Sequence, residues 1–252
     1  MPLMSTFAAA SIRGFTSDAQ QPLPNLPAIL CWYDASRPGT IGVDASSKIF
    51  QVNDISGNDR NLFQSTSDAQ PLLSRAGGKA SIYFDGSTAK NLDTLNNVPL
   101  GGTTVSVHLL MTPVSMIEPN GRYLSFGLPG VADWNRSAYF NLLHNGSNAT
   151  NISVQRNTIF YGANGQVAPN TLTHIALAFT GSQLRLFKNN NQFFSGSVDG
   201  TFVTTGTLRL GRGLSPGERV HFHLHEFLMS AAAFTDAHRS KIHSYFQKKW
   251  GV

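Results

Sequence analysis

The sequence predicts an all-β protein: a sandwich of short strands, preceded by an extended arm and closed by one C-terminal helix. Three observations carry that expectation. Apolar and polar residues alternate over short stretches bounded by Gly, Asn, Asp and Pro, the pattern of half-buried strands. Only 13% of residues are charged while 41% are hydrophobic, with 17 Phe and 23 Gly, enough for a sandwich core and many tight turns. Helical spacing is clear in one place, residues 235–250, at the end of the chain.

Taken in order, residues 1–25 come first and differ in character from the rest. Met1 to Asp18 lacks sandwich periodicity, and the prolines at 22, 24 and 27 disfavour helix. This stretch reads as an extended arm and linker, with Phe7, Arg13 and Phe15 placed to lie against a neighbouring subunit. Residues 26–252 read as one domain. Strands are expected near 29–33, 48–52, 80–84, 103–111, 122–127, 138–144, 151–156, 172–179, 183–188, 191–196, 207–211 and 219–229. Asn189-Asn190 should turn a hairpin, because Asn tolerates the positive φ of a primed turn. Leu184 and Leu186 should face inward and Arg185 outward.

The helix closes the chain. Thr235 caps it, Asp236 sits in its first turn, and Ile242, Tyr245, Phe246 and Trp250 share one face. Lys248 and Lys249 suit the negative end of the dipole, and Gly251 stops it. The basic run Arg239, Lys241, Lys248 and Lys249 reads as a solvated helix face. The helix itself should cover a sheet of the sandwich.

Several of these pieces together resemble the concanavalin A-like (laminin-G-like) jelly-roll domains of bacterial surface proteins and tailed-phage virions. Trp32-Tyr33-Asp34-Ala35-Ser36 and Asn53-Asp54-Ile55-Ser56-Gly57-Asn58 are similar to the opening of such domains, and Phe84-Asp85-Gly86-Ser87 to their F-D-G-S turn. Thr173 to Gly181 resembles their W-H-H-V-A strand, with Thr in place of Trp. Glu226, Thr235-Asp236-Ala237, Arg239, Tyr245 and Lys249-Trp250-Gly251 match their C-terminal strand and helix, with His238 where Glu is usual. The resemblance implies a two-sheet antiparallel jelly-roll sandwich over residues 26–252. The arm is similar to short N-terminal segments of phage minor structural proteins.

Chemistry is sparse. His221, His223 and His225 share one strand face about 6–7 Å apart, which suits a polar sheet face better than a metal cage. Glu226 breaks the alternation there, so a bulge is expected, with Glu226 hydrogen-bonded within the fold. Cys31 has no partner cysteine in the chain and reads as a small buried hydrophobe. The E-x-D-x-x-E run of jelly-roll glycanases is missing, and Tyr139 and His144 imitate only part of the lyase set. No dense Asp cluster suggests calcium. Neither a catalytic residue, a metal site nor a cofactor is therefore expected.

Sugar binding asks for less: an aromatic platform and amides for hydroxyls. Trp134, Asn135, Tyr139 and Asn141 supply those groups within one stretch. The net charge of +5 comes from scattered Lys and Arg, which argues against nucleic acid as a partner. No signal peptide or membrane-spanning run is visible, so membrane insertion is not expected. The expectation is a non-enzymatic structural protein of a tailed-phage virion, made in the host cytoplasm and displayed on the particle surface as a capsid decoration or a tail-associated adhesion module. It would be oligomeric in the particle and joined to other virion subunits by its arm. Host surface glycans are the further partner, and a host-glycan-binding lectin, or else a polysaccharide depolymerase or lyase, is the alternative.

Overall fold

Ile175, Leu177 and Phe179 are buried in the core, while His174, Ala176 and Ala178 face the other side of the same strand. That alternation sets the architecture. The computed structural model describes residues 25–75, 78–100, 102–115, 118–128, 138–144, 150–198, 201–213 and 218–252. The arm with Phe7, Arg13 and Phe15, and the loop residues Trp134 and Asn135, lie outside the described residues.

The strands, in chain order, begin with β1 (Ile29–Asp34), β2 (Ile41–Val43), β3 (Ile49–Val52), β4 (Leu62–Phe63), β5 (Leu72–Ser74) and β6 (Ser81–Phe84). The middle of the chain adds β7 (Leu92–Thr94), β8 (Val98–Pro99), β9 (Thr104–Ser115), β10 (Arg122–Gly127), β11 (Phe140–Leu143) and β12 (Ile152–Arg156). Then come β13 (Ile159–Ala163), β14 (Thr173–Thr180), β15 (Gln183–Lys188), β16 (Asn191–Ser197), β17 (Thr205–Leu210) and β18 (His221–Ser230), before helix α1 (Asp236–Trp250).

Two antiparallel sheets result. The first runs β16-β15-β14-β9-β18-β6-β5, with β1 also on β18. The second runs β13-β12-β11-β10-β17-β7-β4-β3-β2, with β8 on β17. One apolar core lies between them, built from the inward faces of both, with Phe84, Phe126, Phe140, Phe179, Phe222 and Phe227 fully enclosed. At one edge Tyr161 of β13 meets Phe194 of β16 edge to face at 6.4 Å, which closes the sandwich.

Every strand expected from the sequence forms within a few residues of its expected place. The sequence reading missed β2, β4, β5, β7, β8 and β13. All but the last have only two or three residues, too few for a period of two to register. Asn189 and Asn190 do turn the β15–β16 hairpin, at φ 46° and 69°.

The N-terminal motifs work as staples for β1. Asp54 Oδ1 accepts from the Trp32 amide at 2.9 Å, and Asn58 Nδ2 donates to the Ile29 carbonyl at 2.8 Å. Asp34 folds its own turn by accepting from the amide and hydroxyl of Ser36. Cys31 beside them is fully buried, and burial pushes its thiol up to about 12.

α1 lies on the outer face of the first sheet, giving three layers. Thr235 Oγ1 accepts from the His238 amide, and Gly251 takes the left-handed conformation at φ 72° that ends the helix. Its buried face of Ile242, Tyr245, Phe246 and Trp250 packs on Trp32, Leu110, Leu228 and Phe234. The expectation of a solvated basic face holds for Lys241 and Lys248, which are exposed, and needs correcting for Arg239 and Lys249. Arg239 lies over the Phe187 ring at 3.8 Å and bonds Asn190 and Asp236, and Lys249 turns inward onto two carboxylates. The sheet surface beneath the helix carries partners for both, which spacing along one helix does not reveal.

Candidate functional site

The outer face of the second sheet carries a polar row that its register assembles. Gln155 of β12 stands opposite Asn141 of β11, Asn141 opposite Ser125 of β10, and Ser125 opposite Arg209 of β17. Arg209 faces Asp93 of β7, Asp93 faces Phe63 of β4, and Phe63 faces Gln51 of β3. At the other end Phe160 of β13 stands opposite Gln155. Each row residue alternates with core neighbours such as Leu124, Leu142, Val154, Leu208 and Leu92, so the row points away from the core. A polar row with a phenylalanine towards each end is what a saccharide meets well, amides for hydroxyls and rings for apolar sugar faces.

The centre of the row is closed and its ends are open. Ser125 and Asn141 are fully buried and Gln155 and Arg209 nearly so, at 4% and 8%, whereas Phe160 is 37% exposed and Phe63 and Gln51 are half-buried. A cleft of about 360 Å³ opens beside Phe160, lined also by Asn120, Arg122, Gln155, Thr158 and Glu218. Arg122 reaches this face because β10 bulges at Tyr123, which puts Tyr123 and Leu124 both in the core. Its guanidinium donates to Gln155 Oε1 at 2.8 Å and pairs with Glu218. Arg209 makes a two-pronged pair with Asp93, at 2.7 and 2.6 Å, and donates to the Gly213 carbonyl at 3.0 Å.

Of the residues picked out from the sequence for sugar binding, Asn141 is in the row and Tyr139 is just before its strand. Both are buried, at 0% and 4% exposure, so neither side chain offers surface to a ligand in this state. His144 is buried too, and its Nε2 donates to the Glu118 carbonyl at 2.7 Å. Gln155, Phe160, Arg122 and Arg209 went unnoticed in the sequence reading. One signal was available for Phe160: Asn157, at φ 46°, marks the turn into β13.

The other cluster of chemistry sits between α1 and the first sheet. Along β18 the three histidines each bind neighbouring side chains. His221 lies 2.6 Å from the Tyr83 hydroxyl and 2.7 Å from Ser115 Oγ, and His223 lies 2.9 Å from Ser81 Oγ. His225 Nδ1 donates to the Ala80 carbonyl at 3.3 Å, so its Nε2 accepts from Thr112 Oγ1 at 3.0 Å. The ladder shifts register between Leu224 and Glu226, the bulge expected there, which leaves His225 and Glu226 on the same side. Glu226 accepts from both indoles, Trp32 at 2.7 Å and Trp250 at 2.8 Å, and from Lys249 at 2.8 Å.

A second histidine line runs from sheet to helix. His108 Nδ1 lies 2.9 Å from His174 Nε2, and His174 Nδ1 lies 3.2 Å from His243 Nδ1. Burial pushes His108 down to about 3 and His174 well below its ordinary value. These rings link end to end rather than converge. Among the described residues no group of three or more His, Cys, Asp or Glu gathers as metal ligands. Nor is any helix among them long and apolar enough to cross a membrane.

No protein-family model matches the sequence, and no curated protein does. Solved structures share the fold. The chain is similar to domain 4 of AbnA, a GH43 extracellular arabinanase from Geobacillus stearothermophilus in complex with arabinotriose. That likeness has a TM-score of 0.59 over 85% of this chain and 98% of that one, at 12% identity. It is similar to Trypanosoma rangeli sialidase, with a TM-score of 0.60 over 90% of this chain at 8% identity. The binding domain of Paraclostridial Mosquitocidal Protein 1 gives 0.56 over 87% at 13% identity. The chain spans 34% of the sialidase and 52% of the toxin domain. At these identities the fold is what is shared.

Proposed function

We propose that this chain is a non-enzymatic carbohydrate-binding module that docks saccharides on the outer face of its second sheet. The observation that carries the reading is the polar row ending in the cleft of Phe160, Gln155 and Arg122. Its chemistry is that of sugar recognition: an exposed Phe160 ring with Thr158 and Asn120 at the rim, over a floor in which the buried Arg122 and Gln155 hold each other in place. The fold likeness to an arabinanase domain solved with arabinotriose supports it as analogy. A binding rather than catalytic role is supported by the carboxylates on this face. Asp93 is clamped by Arg209 and Glu218 by Arg122, which leaves neither placed as a free acid or base.

In the same reading, residues 1–25 form an anchor and residues 26–252 the displayed module, held on a tailed-phage particle. The support is the arm's apolar, proline-punctuated sequence and its similarity to phage structural segments. Screening the protein on a glycan array, with Phe160→Ala and Gln155→Ala beside it, tests the first part. Binding that both variants weaken is the expected result. Binding that neither changes would move the site elsewhere, and no binding at all would remove the function. Deleting residues 1–25 tests the second: a folded module that no longer joins the particle is expected, and normal incorporation would reject the anchor.

A further inference from the structure

The cleft beside Phe160 is open at one end and walled at the other. β13 is the last strand of the second sheet, and Asn157, Thr158, Ile159 and Phe160 are all exposed there. The opposite end meets the chain as it leaves β17. The Gly211 amide still pairs with the Tyr123 carbonyl of β10 at 3.1 Å, and the backbone then lifts off the sheet. The Arg212 carbonyl accepts from Ser125 Oγ at 3.4 Å and the Gly213 carbonyl from Arg209 at 3.0 Å, so this segment lies on the outer face. Gly213 abuts the Arg122–Glu218 pair so closely that a Cβ would collide with both. Glu218 is fixed in turn, its carbonyl accepting from the Arg122 amide at 2.9 Å. Gly213 and Glu218 therefore wall the cleft where the row goes under cover.

A saccharide lying across the strands from β13 towards β10 runs into that wall. The path is three strand spacings, about 14 Å, and the cleft of about 360 Å³ is near the lower limit for small-ligand sites. A sugar within a chain continues on both sides, and its second linkage would meet Gly213 and Glu218. A terminal sugar carries a hydroxyl at that position instead. The Glu218 side chain is 24% exposed and stands at the wall to accept from such a hydroxyl, which a linkage oxygen cannot donate. Resting on the carbohydrate reading above, we propose that the cleft reads the end of a glycan chain rather than a segment within it. The terminal ring meets Glu218 and Asn120, the Phe160 ring covers an apolar sugar face, and the chain leaves over the β13 edge.

The test titrates the full chain by calorimetry with arabinan, galactan, xylan and β-1,3-glucan, each as trimer, hexamer and polymer. In the family that binds, trimer and hexamer should have Kd values within about twofold of each other, because each offers one such end. The polymer should take up one protein per chain, and limited hydrolysis should raise the bound protein in step with the new ends. Phe160→Ala, at an exposed position, should weaken that binding about tenfold, as the loss of an aromatic contact does. Affinity that climbs from trimer to hexamer, with many proteins on each polymer chain, would overturn end recognition and leave the carbohydrate reading standing. Length-independent binding that Phe160→Ala leaves unchanged would put the end site outside this cleft and also overturn the proposal. No binding in any of the four families would remove it together with the reading it rests on.

Discussion

Glu226 and Lys249 form an ion pair of 2.8 Å that ties the bulge of β18 to the last turn of α1, with the Glu226 side chain wholly buried. Lys249 also holds Asp34 of β1 at 2.5 Å, so one ammonium fastens two strands to the helix. The two indole donors from Trp32 and Trp250 complete the shell around Glu226. Burial, with Asp34 adding to it, pushes the Glu226 carboxyl above its ordinary value, and Lys249 and Trp250 oppose that rise. This corner is a fastening for the helix, built where the sandwich would otherwise expose Trp32, Leu110 and Leu228.

Breaking that pair from the lysine side leaves two buried carboxylates without a cation. Lys249→Ala should cost about 3–5 kcal/mol, the range for a buried pair that loses one partner. Urea denaturation measures it. Glu226→Gln keeps the shape and an acceptor for an indole, and should cost clearly less. A loss under about 1 kcal/mol for Lys249→Ala would show that the corner is solvated and contributes little.

Acid should loosen the helix. His108, His174, His225 and His243 all have folded-state pKa values lowered by burial, to about 3 for His108 and about 4 for His225. A histidine with a lowered folded pKa binds protons more readily when unfolded. Its stability contribution is complete above the unfolded value of about 6.5 and is lost as pH falls towards the folded one. Arg239 stands beside the His108–His174–His243 line and adds to the cost of charging it. The melting temperature should therefore fall steadily from about pH 6.5 to about pH 4. Glu226 works in the opposite sense, because its raised folded pKa favours the folded state as pH falls. His174→Phe should flatten the decline; an unchanged slope would assign it to other groups.

How much of this was legible in the sequence follows from how far apart the partners lie. The α1 cap, its stop and its buried face depend on residues within one helix, and they were readable from spacing. The β18 bulge was readable because Glu226 breaks an alternation that resumes at Phe227. The polar row was not, because it depends on which strands become neighbours. Arg209 and Asp93 are 116 residues apart, and no local pattern pairs them. Sequence reasoning instead chose the densest local stretch of aromatics and amides, around Tyr139 and Asn141, whose side chains the fold encloses. The same blindness applies to Lys249, whose partners lie on β1 and β18.

The helix should be indispensable for solubility. Removing residues 235–252 uncovers Trp32, Leu110, Leu228 and Phe234 as one contiguous apolar patch on the first sheet. It also leaves Glu226 with a single indole donor, from Trp32, and no lysine. The truncated chain should aggregate, or bind a hydrophobic dye strongly if it stays in solution. A monomeric truncated protein without dye binding would mean that the sheet repacks to cover itself.

Gly213 offers a way to alter the cleft wall without replacing a charged residue. A Cβ there would overlap the Glu218 carboxyl and the Arg122 guanidinium, which already face each other across the cleft wall. Gly213 has no left-handed backbone to protect, so the effect of Gly213→Ala is steric rather than conformational. Glu218 is partly exposed and can swing outward, while Arg122 is held in place by Gln155. The substitution should therefore cost only about 1–3 kcal/mol, as overpacking does. It should also part Arg122 from Glu218 and change the cleft wall that Gln155 and Phe160 share. Saccharide affinity should drop far more than stability, measured by titration and thermal melting on the same sample. A variant that melts normally and binds normally would show that ligand contacts lie away from the Arg122 end of the row.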